Sequence, residues 1–233
     1  MNNDKLAILA IVFILLANGP FNAEKGYAMN ANMNSGIIAL PEPVTDGRLS
    51  IEKALANRRS TRSFSSKPMN LQDIAQLSWA AQGITGRSGF RTAPSAGALY
   101  PLELYIAAGN VENLPPGLYH YRSESHDLEI VAEGDFRASI REAALQQTAV
   151  SRAGAVFIFT GVFSRTMDKY GKRGMQYVLM EAGHAAQNLM LQAEAMNIGN
   201  VPIGAFSDDV LIEVLKIDPN AHPLYIIPVG YRQ

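Results

Sequence analysis

Three arginines fall within five residues of the stretch "ANRRSTRSF", residues 56–64. Like charges at this density cost Coulomb energy unless solvent or an anion relieves them. One relief needs no ligand: if a helix ends here, Arg58 and Arg59 suit its negative C-terminal pole. The other is a cradle in which Arg58, Ser60 and Arg62 meet a phosphate, whose charge of about −1.5 to −2 calls for more than one cation. An extended segment places Ser60 and Arg62 on the same side. Arg232, far along the chain, is a further cation without an acidic neighbour in sequence.

Two other stretches invite a ligand. In "TAPSAGALYP", Pro94 and Gly97 bracket small residues whose backbone a planar molecule could approach closely. In "NVPIGAF", Pro202 and Gly204 bracket Ile203, where an unpaired amide could donate to an acceptor as an oxyanion hole does. Tyr100 and Tyr170 are candidates to line a substrate face, although a packed aromatic is the commoner fate. Glu181 and His184, three apart, imitate half of a carboxylate-bridged metal site, but such a site needs a second pair and none exists, so no metal is expected. His184, Gln187 and Asn188 read as polar groups satisfied in a crowded core, and His120 and His126 as hairpin residues facing water.

Composition narrows the classes. With 233 residues, 48% of them hydrophobic, the chain can bury one sizeable core. Lys and Arg number 20 against 21 Asp and Glu, so there is no general basic field for nucleic acid. Cysteine is absent, which removes disulfides, thiolate metal sites and cysteine nucleophiles together.

The elements that must position these residues follow from periodicity. Ser50 caps a helix over "IEKALANRR", and Asn70 with Asp73 opens another over "LQDIAQLSWAAQGI". Gly83, Gly86 and Gly89 mark a loop. "LELYIAAGN" is a strand, and "LYHYR" with "LEIVAEG" forms a hairpin around "SESHD". A helix over "DFRASIREAALQQ" and the all-apolar strand "AGAVFIFTGVF" follow. Residues 173–197 form the longest helix, apolar over most of its circumference, and part of that surface is expected to meet a second copy of the chain. A helix over "SDDVLIEVLK" capped by Ser207 and the strand "PLYIIPVGY" complete the pattern. Helices and strands do not alternate regularly, so the class is α+β.

In order and spacing, "RRSTRSF", "PSAGALYPLELY", "LPPGLYHY", "EAGHAAQNLMLQAEAMNIGNVPIGAF" and "PLYIIPVG" resemble the nitroreductase superfamily, nearest its SagB-type dehydrogenases, relatives of azoline oxidases. The resemblance spans about residues 50–232. It implies a central, mostly antiparallel sheet flanked by helices, an intertwined homodimer, and FMN held between the subunits. By the same resemblance Arg58 and Ser60, with Arg59 assisting and Arg232 completing the site, contact the FMN phosphate and ribityl chain. Arg62 lies near N1 and the C2 carbonyl, where reduced flavin carries negative charge. Pro94, Ser95 and Ala96 reach the flavin from the partner subunit, and the backbone of Ile203 and Gly204 faces N5. Arg62, Ile203 and Gly204 are thus the residues nearest the chemistry. Many nitroreductases have Asn where this chain has Ala98, and Gln176 stands where SagB-type sequences often carry Arg.

The implied reaction is hydride transfer by a ping-pong route between a donor, NAD(P)H, and a nitro, quinone or other small organic acceptor. Its rivals are oxidation of azoline rings in a modified peptide with oxygen as acceptor, and an exported flavin-binding protein without turnover. Residues 1–28, with Lys5 ahead of the apolar run 6–17, have the layout of a signal peptide or membrane anchor. They make the protein exported or anchored through that run, and cytoplasmic if the segment is not a signal. Residues 29–49 read as a linker or arm, and residues 50–233 as the FMN-binding domain.

Overall fold

The computed structural model describes residues 36–218 and 220–233. The expected signal or anchor, residues 1–28, and the first part of the arm lie outside the described residues. In chain order the elements are β1 (Ile37–Ala39), α1 (Ile51–Asn57), α2 (Leu71–Gln82), β2 (Leu102–Ala108), β3 (Gly117–Arg122) and β4 (Asp127–Glu133). They continue with α3 (Arg137–Ala143), α4 (Thr148–Arg152), β5 (Ala155–Val162), α5 (Phe163–Tyr170), α6 (Arg173–Ala195), β6 (Ile198–Asn200), α7 (Asp208–Leu215) and β7 (Ala221–Tyr231). The strands make one sheet in the order β1-β4-β3-β2-β5-β7-β6, with every neighbouring pair antiparallel. This is the expected α+β class.

β5 explains the layering. All eight of its residues are buried, so both faces of the sheet must be covered. Phe157 and Phe159 point into a cluster with Ile74 and Leu77 of α2 and Ala185 and Leu189 of α6. Val156 and Ile158 point the other way, to Ile140, Val150 and Leu211 of α3, α4 and α7. The sheet is the middle of three layers.

α2 starts in a capping box: Asn70 Oδ1 accepts the Asp73 N–H at 2.8 Å, and Asp73 Oδ2 accepts the Asn70 N–H at 3.0 Å. The same Asp73 carboxylate accepts the Tyr231 hydroxyl at 2.6 Å, which fixes the end of β7 just before Arg232. Asn70→Ala should therefore cost about 1 kcal/mol of stability, seen as a lower urea midpoint at unchanged slope.

Four expectations about the elements change. The arm contains a short edge strand, β1, pairing Ile37 to Ala39 with β4. The helix over 135–147 is broken, because Leu145 and Gln146 both take positive φ, 54° and 63°, and a second short helix begins at Thr148. Ser207 occupies the position before α7, but its side chain makes no cap hydrogen bond. α6 is buried on one side only: Met175, Leu179 and Met180 are 44%, 50% and 52% exposed, an apolar stripe one turn long.

Candidate cofactor site

Residues 60–65 run extended along the last strands and bring the two ends of the domain together. Ser60 bridges Asn200, and the Thr61 N–H donates to the Asn200 carbonyl at 2.7 Å. Phe64 lies opposite Arg232, and the Ser65 N–H donates to the Tyr231 carbonyl at 2.8 Å. Two glycines allow this close approach. A Cβ on Gly199 would stand 2.8 Å from Thr61 Cγ2, and one on Gly230 would stand 3.0 Å from Phe64 Cβ. The arginine-rich stretch and the C-terminal arginine thus share one ladder.

The four arginines are not equivalent. Arg58 closes α1, its N–H donating to the Ala54 carbonyl at 2.9 Å. Arg59 folds back so that Nη1 donates to the carbonyls of Ala56 and Arg58 at 3.0 and 2.8 Å; it serves the helix end. Arg232 Nη2 pairs with the buried carboxylate of Glu194, while its Nε is buried without a partner. Among the described residues, the guanidinium groups of Arg58 and Arg62 meet no acceptor, and Ser60 beside them is exposed. Two unneutralised cations and a hydroxyl thus fall within five residues, a donor set of the kind an anion uses.

The "NVPIGAF" turn packs against the same strands, with one correction. The Ile203 amide is not open, since it donates to the Ile226 carbonyl at 2.8 Å, and the Ile226 N–H returns to the Ile203 carbonyl at 3.0 Å. The unpaired donor is the next one: Gly204 is exposed, and its N–H finds no acceptor among the described residues. A Cβ there would meet nothing nearer than a Tyr225 ring carbon at 3.6 Å.

A second cluster forms around residues 94–100. Ala96–Ala98 make a single 3-10 turn. Ser95 organises it: its carbonyl accepts the Ala98 N–H at 3.1 Å and its Oγ accepts the Tyr100 N–H at 2.9 Å. Gly97, at φ +66°, has the Tyr170 hydroxyl and the Lys169 ammonium where a Cβ would go, at 2.8 and 2.9 Å. Tyr100 and Tyr170 therefore reach the same loop. Tyr100 takes a positive φ of 44° and is held from both sides, its ring under the Arg91 guanidinium at 4.6 Å and its carbonyl accepting from Arg165 Nη1 at 3.0 Å. Arg165 is in turn paired with Glu103, and Glu103 with His120. Those partners hold the Glu103 carboxyl below its ordinary range, against the opposing effect of burial.

α6 forms the floor of this loop. Asn188 Nδ2 donates to the Thr92 carbonyl at 3.1 Å. Glu181 is 3% exposed, and its Oε1 has no hydrogen-bond partner. Burial pushes the Glu181 carboxyl up to about 7, moderated by the Ser95 hydroxyl and the charge of Arg91.

The histidines differ from expectation. His184 is exposed rather than packed in the core. His120 is half-buried on Glu103, and His126 joins the Tyr121 hydroxyl to the Pro41 carbonyl, each at 2.9 Å. Sequence reasoning also passed over Lys169, Arg91 and Arg165. Lys169 could have been noticed as the neighbour of Tyr170; nothing in the spacing marks the other two. A cavity of about 610 Å³ lies between residues 44–49, α1, α2 and the C-terminal half of α6, with Thr92 and Asn188 in its lining.

The fold is thus one antiparallel sheet between two helical layers, with residues 60–65 laid alongside the segments that carry Asn200 and Arg232. The chain belongs to the nitroreductase family, whose pattern matches residues 55–231. MJ1384 of Methanocaldococcus jannaschii, classed as a nitroreductase, is 39% identical over 184 residues, covering 79% of this chain and 92% of that one. A crystal structure classed as a nitroreductase from Ralstonia eutropha superposes with a TM-score of 0.74 at 27% identity, over 84% of this chain and 90% of the other. The microcin B17-processing protein McbC of Escherichia coli is 29% identical over 133 residues, 55% of this chain and 49% of McbC. The microcin synthetase McbBCD complex, with truncated pro-MccB17 bound, contains a chain matching with a TM-score of 0.66 at 25% identity, over 82% of this chain and 75% of that one.

Proposed function

We propose that the protein is an FMN-dependent oxidoreductase that passes a hydride between NAD(P)H and a nitro, quinone or other organic acceptor. The observation that carries this reading is the ladder that pairs Ser60 with Asn200 and Phe64 with Arg232, in a stretch whose Arg58 and Arg62 guanidinium groups meet no acceptor among the described residues. A phosphomonoester fits that set in charge and in donors. Beside it, Gly204 offers an amide on a face that no Cβ obstructs.

When bound, FMN would supply the hydride chemistry. The chain's own residues hold and polarise. Arg58 and Ser60 bind the phosphate and ribityl chain, with Arg232 bracing the same ladder through Glu194. Arg62 holds a fixed positive charge where the reduced ring is anionic. The Gly204 N–H, next to Ile203, orients the reacting edge. Pro94, Ser95 and Ala96 cover the flavin of the partner subunit, and the exposed stripe Met175, Leu179, Met180 on α6 supports a homodimer. Tyr100 and Tyr170 face the substrate side of the loop.

The test is spectroscopic. Purified protein, supplied with excess FMN, is expected to carry a flavin absorption band, to bleach anaerobically with NADPH, and to recover with a quinone or nitroarene. Parallel lines in double-reciprocal plots are expected, since donor and acceptor use one face in turn. A folded protein that takes up no FMN overturns the reading. A band that never bleaches with any donor leaves a flavin-binding protein without turnover.

The likeness to McbC favours one second reading, oxidation of azoline rings in a modified peptide with oxygen as acceptor. Lys169 and Tyr170, converging on the 94–100 turn, would then face the ring. Oxygen consumption on adding an azoline-bearing peptide, in the absence of nicotinamide, separates it from the first.

A further inference from the structure

The cavity between residues 44–49, α1, α2 and α6 has no part in the phosphate cradle: none of Arg58, Ser60, Arg62 and Arg232 lines it. Its volume, about 610 Å³, is that of a pocket for a small organic molecule. Two helix faces build it. α2 contributes Gln72, Gln76, Trp79 and Ala80, and α6 contributes Asn188, Leu191, Gln192 and Ala195, each set spaced three or four residues apart so that the side chains share a face. The walls are apolar, with Leu49, Ala54 and Met196 completing the ring around the indole of Trp79. The charged residues of the lining are Asp46 and Arg48, both exposed on the outer strap 44–49.

Val44 fixes the polar groups. Gln76, 3% exposed, accepts the Val44 N–H on Oε1 at 2.7 Å and donates from Nε2 to the Val44 carbonyl at 2.9 Å, so its amide has one orientation. Its Nε2 also donates to Gln192 Oε1 at 3.4 Å. Gln192 therefore turns its oxygen to Gln76, and its own Nε2 is a donor that meets no acceptor among the described residues. One turn earlier on α6, Asn188 donates from Nδ2 to the Thr92 carbonyl at 3.1 Å. Its Oδ1 remains as an acceptor that meets no donor among the described residues. A donor and an acceptor, four residues apart on one helix face, thus border an uncharged space with an aromatic wall.

We propose that this cavity binds a small, neutral aromatic carboxamide, with its ring against Trp79, its carbonyl accepting from Gln192 Nε2 and its N–H donating to Asn188 Oδ1. A carboxamide carries both hydrogen-bonding partners in one planar group. A carboxylate of the same shape has no proton for Asn188 and would lose its hydration against Leu191 and Met196. The strap gives access: it hangs from Gln76 at Val44, and among the described residues no backbone group from 45 to 49 makes a hydrogen bond. The site goes beyond the flavin reading and does not need it.

Trp79 is the sole tryptophan of the chain, so its indole N–H gives a single resonance in a nitrogen–proton NMR spectrum, and that resonance tests the proposal. In the full chain, 2-naphthamide should shift it saturably, and 2-naphthoate, the same ring carrying a carboxylate, should leave it in place. Gln192→Leu and Asn188→Leu should each weaken naphthamide about three- to tenfold. Ala195→Phe fills the space from an exposed helix position, and should abolish the shift while leaving the urea midpoint unchanged. An indole resonance that ignores naphthamide, or that responds equally to naphthoate, overturns the proposal. So does a response that survives Ala195→Phe, or one untouched in both leucine variants. A resonance that moves with protein concentration and not with naphthamide overturns it as well, and assigns this face to a second copy of the chain.

Discussion

Arg58→Ala combined with Arg62→Ala should raise the dissociation constant for FMN by about two to four orders of magnitude, since each charge-assisted contact contributes on the order of 1.5–3 kcal/mol. These two are the informative pair because neither guanidinium meets an acceptor among the described residues, so removing them leaves nothing stranded. The protein without cofactor should unfold at nearly the same urea concentration as before. Arg232→Ala would be a poorer probe, because it abandons the buried Glu194 carboxylate and destabilises the fold directly. Flavin fluorescence titration measures the effect, with riboflavin as control. Arg58→Ala alone should weaken FMN and leave riboflavin almost untouched, because riboflavin has no phosphate for Arg58 to hold. Equal losses for both flavins would remove Arg58 from the phosphate site.

The second large effect is on stability and comes from Glu181. Its folded-state value, about 7, is raised from the ordinary 4.5, so the folded protein holds this proton more tightly than the unfolded chain. The contribution is therefore full below pH 4.5 and is lost as pH rises through 7. The loss amounts to up to about 3 kcal/mol. Glu181→Gln has no charge to bury, so it should match wild type in acid and exceed it by up to about 3 kcal/mol at pH 8. Urea unfolding of both proteins at pH 5 and pH 8 checks this. A stability difference independent of pH would mean that Glu181 is not a buried, titrating acid.

Much of the fold was legible because its strongest elements announce themselves locally. The unbroken apolar run of β5 required burial on both faces, the hairpin was marked by its polar turn, and α6 by its length. β1 was not legible: three residues carry no period, and only pairing with β4 makes them a strand. The break at Leu145 and Gln146 was hidden because neither residue type favours positive φ.

At the site, residue types were readable and their partners were not. The arginines of the "RRSTR" stretch stood out, but that Arg59 turns back on its own helix while Arg58 and Arg62 remain open depends on rotamers. The amide expected at Ile203 was one residue off, because a strand 23 positions later in numbering, at Ile226, claims it. His120 meets Glu103 only through the β2–β3 register, which pairs Tyr105 with His120 and so brings Glu103, two residues earlier on the same face, within diagonal reach. Such cross-strand neighbours leave no trace in linear spacing.

The ladder that joins residues 60–65 to Asn200 and Arg232 also bears on how the molecule assembles. Its halves lie at opposite ends of the domain, so they can meet only after the chain between them has found its topology, a late and entropically expensive closure. A molecule whose phosphate grips both halves would act as a clasp on that last step. Occupancy would then slow unfolding, and cellular cofactor supply would govern how long each copy of the protein survives.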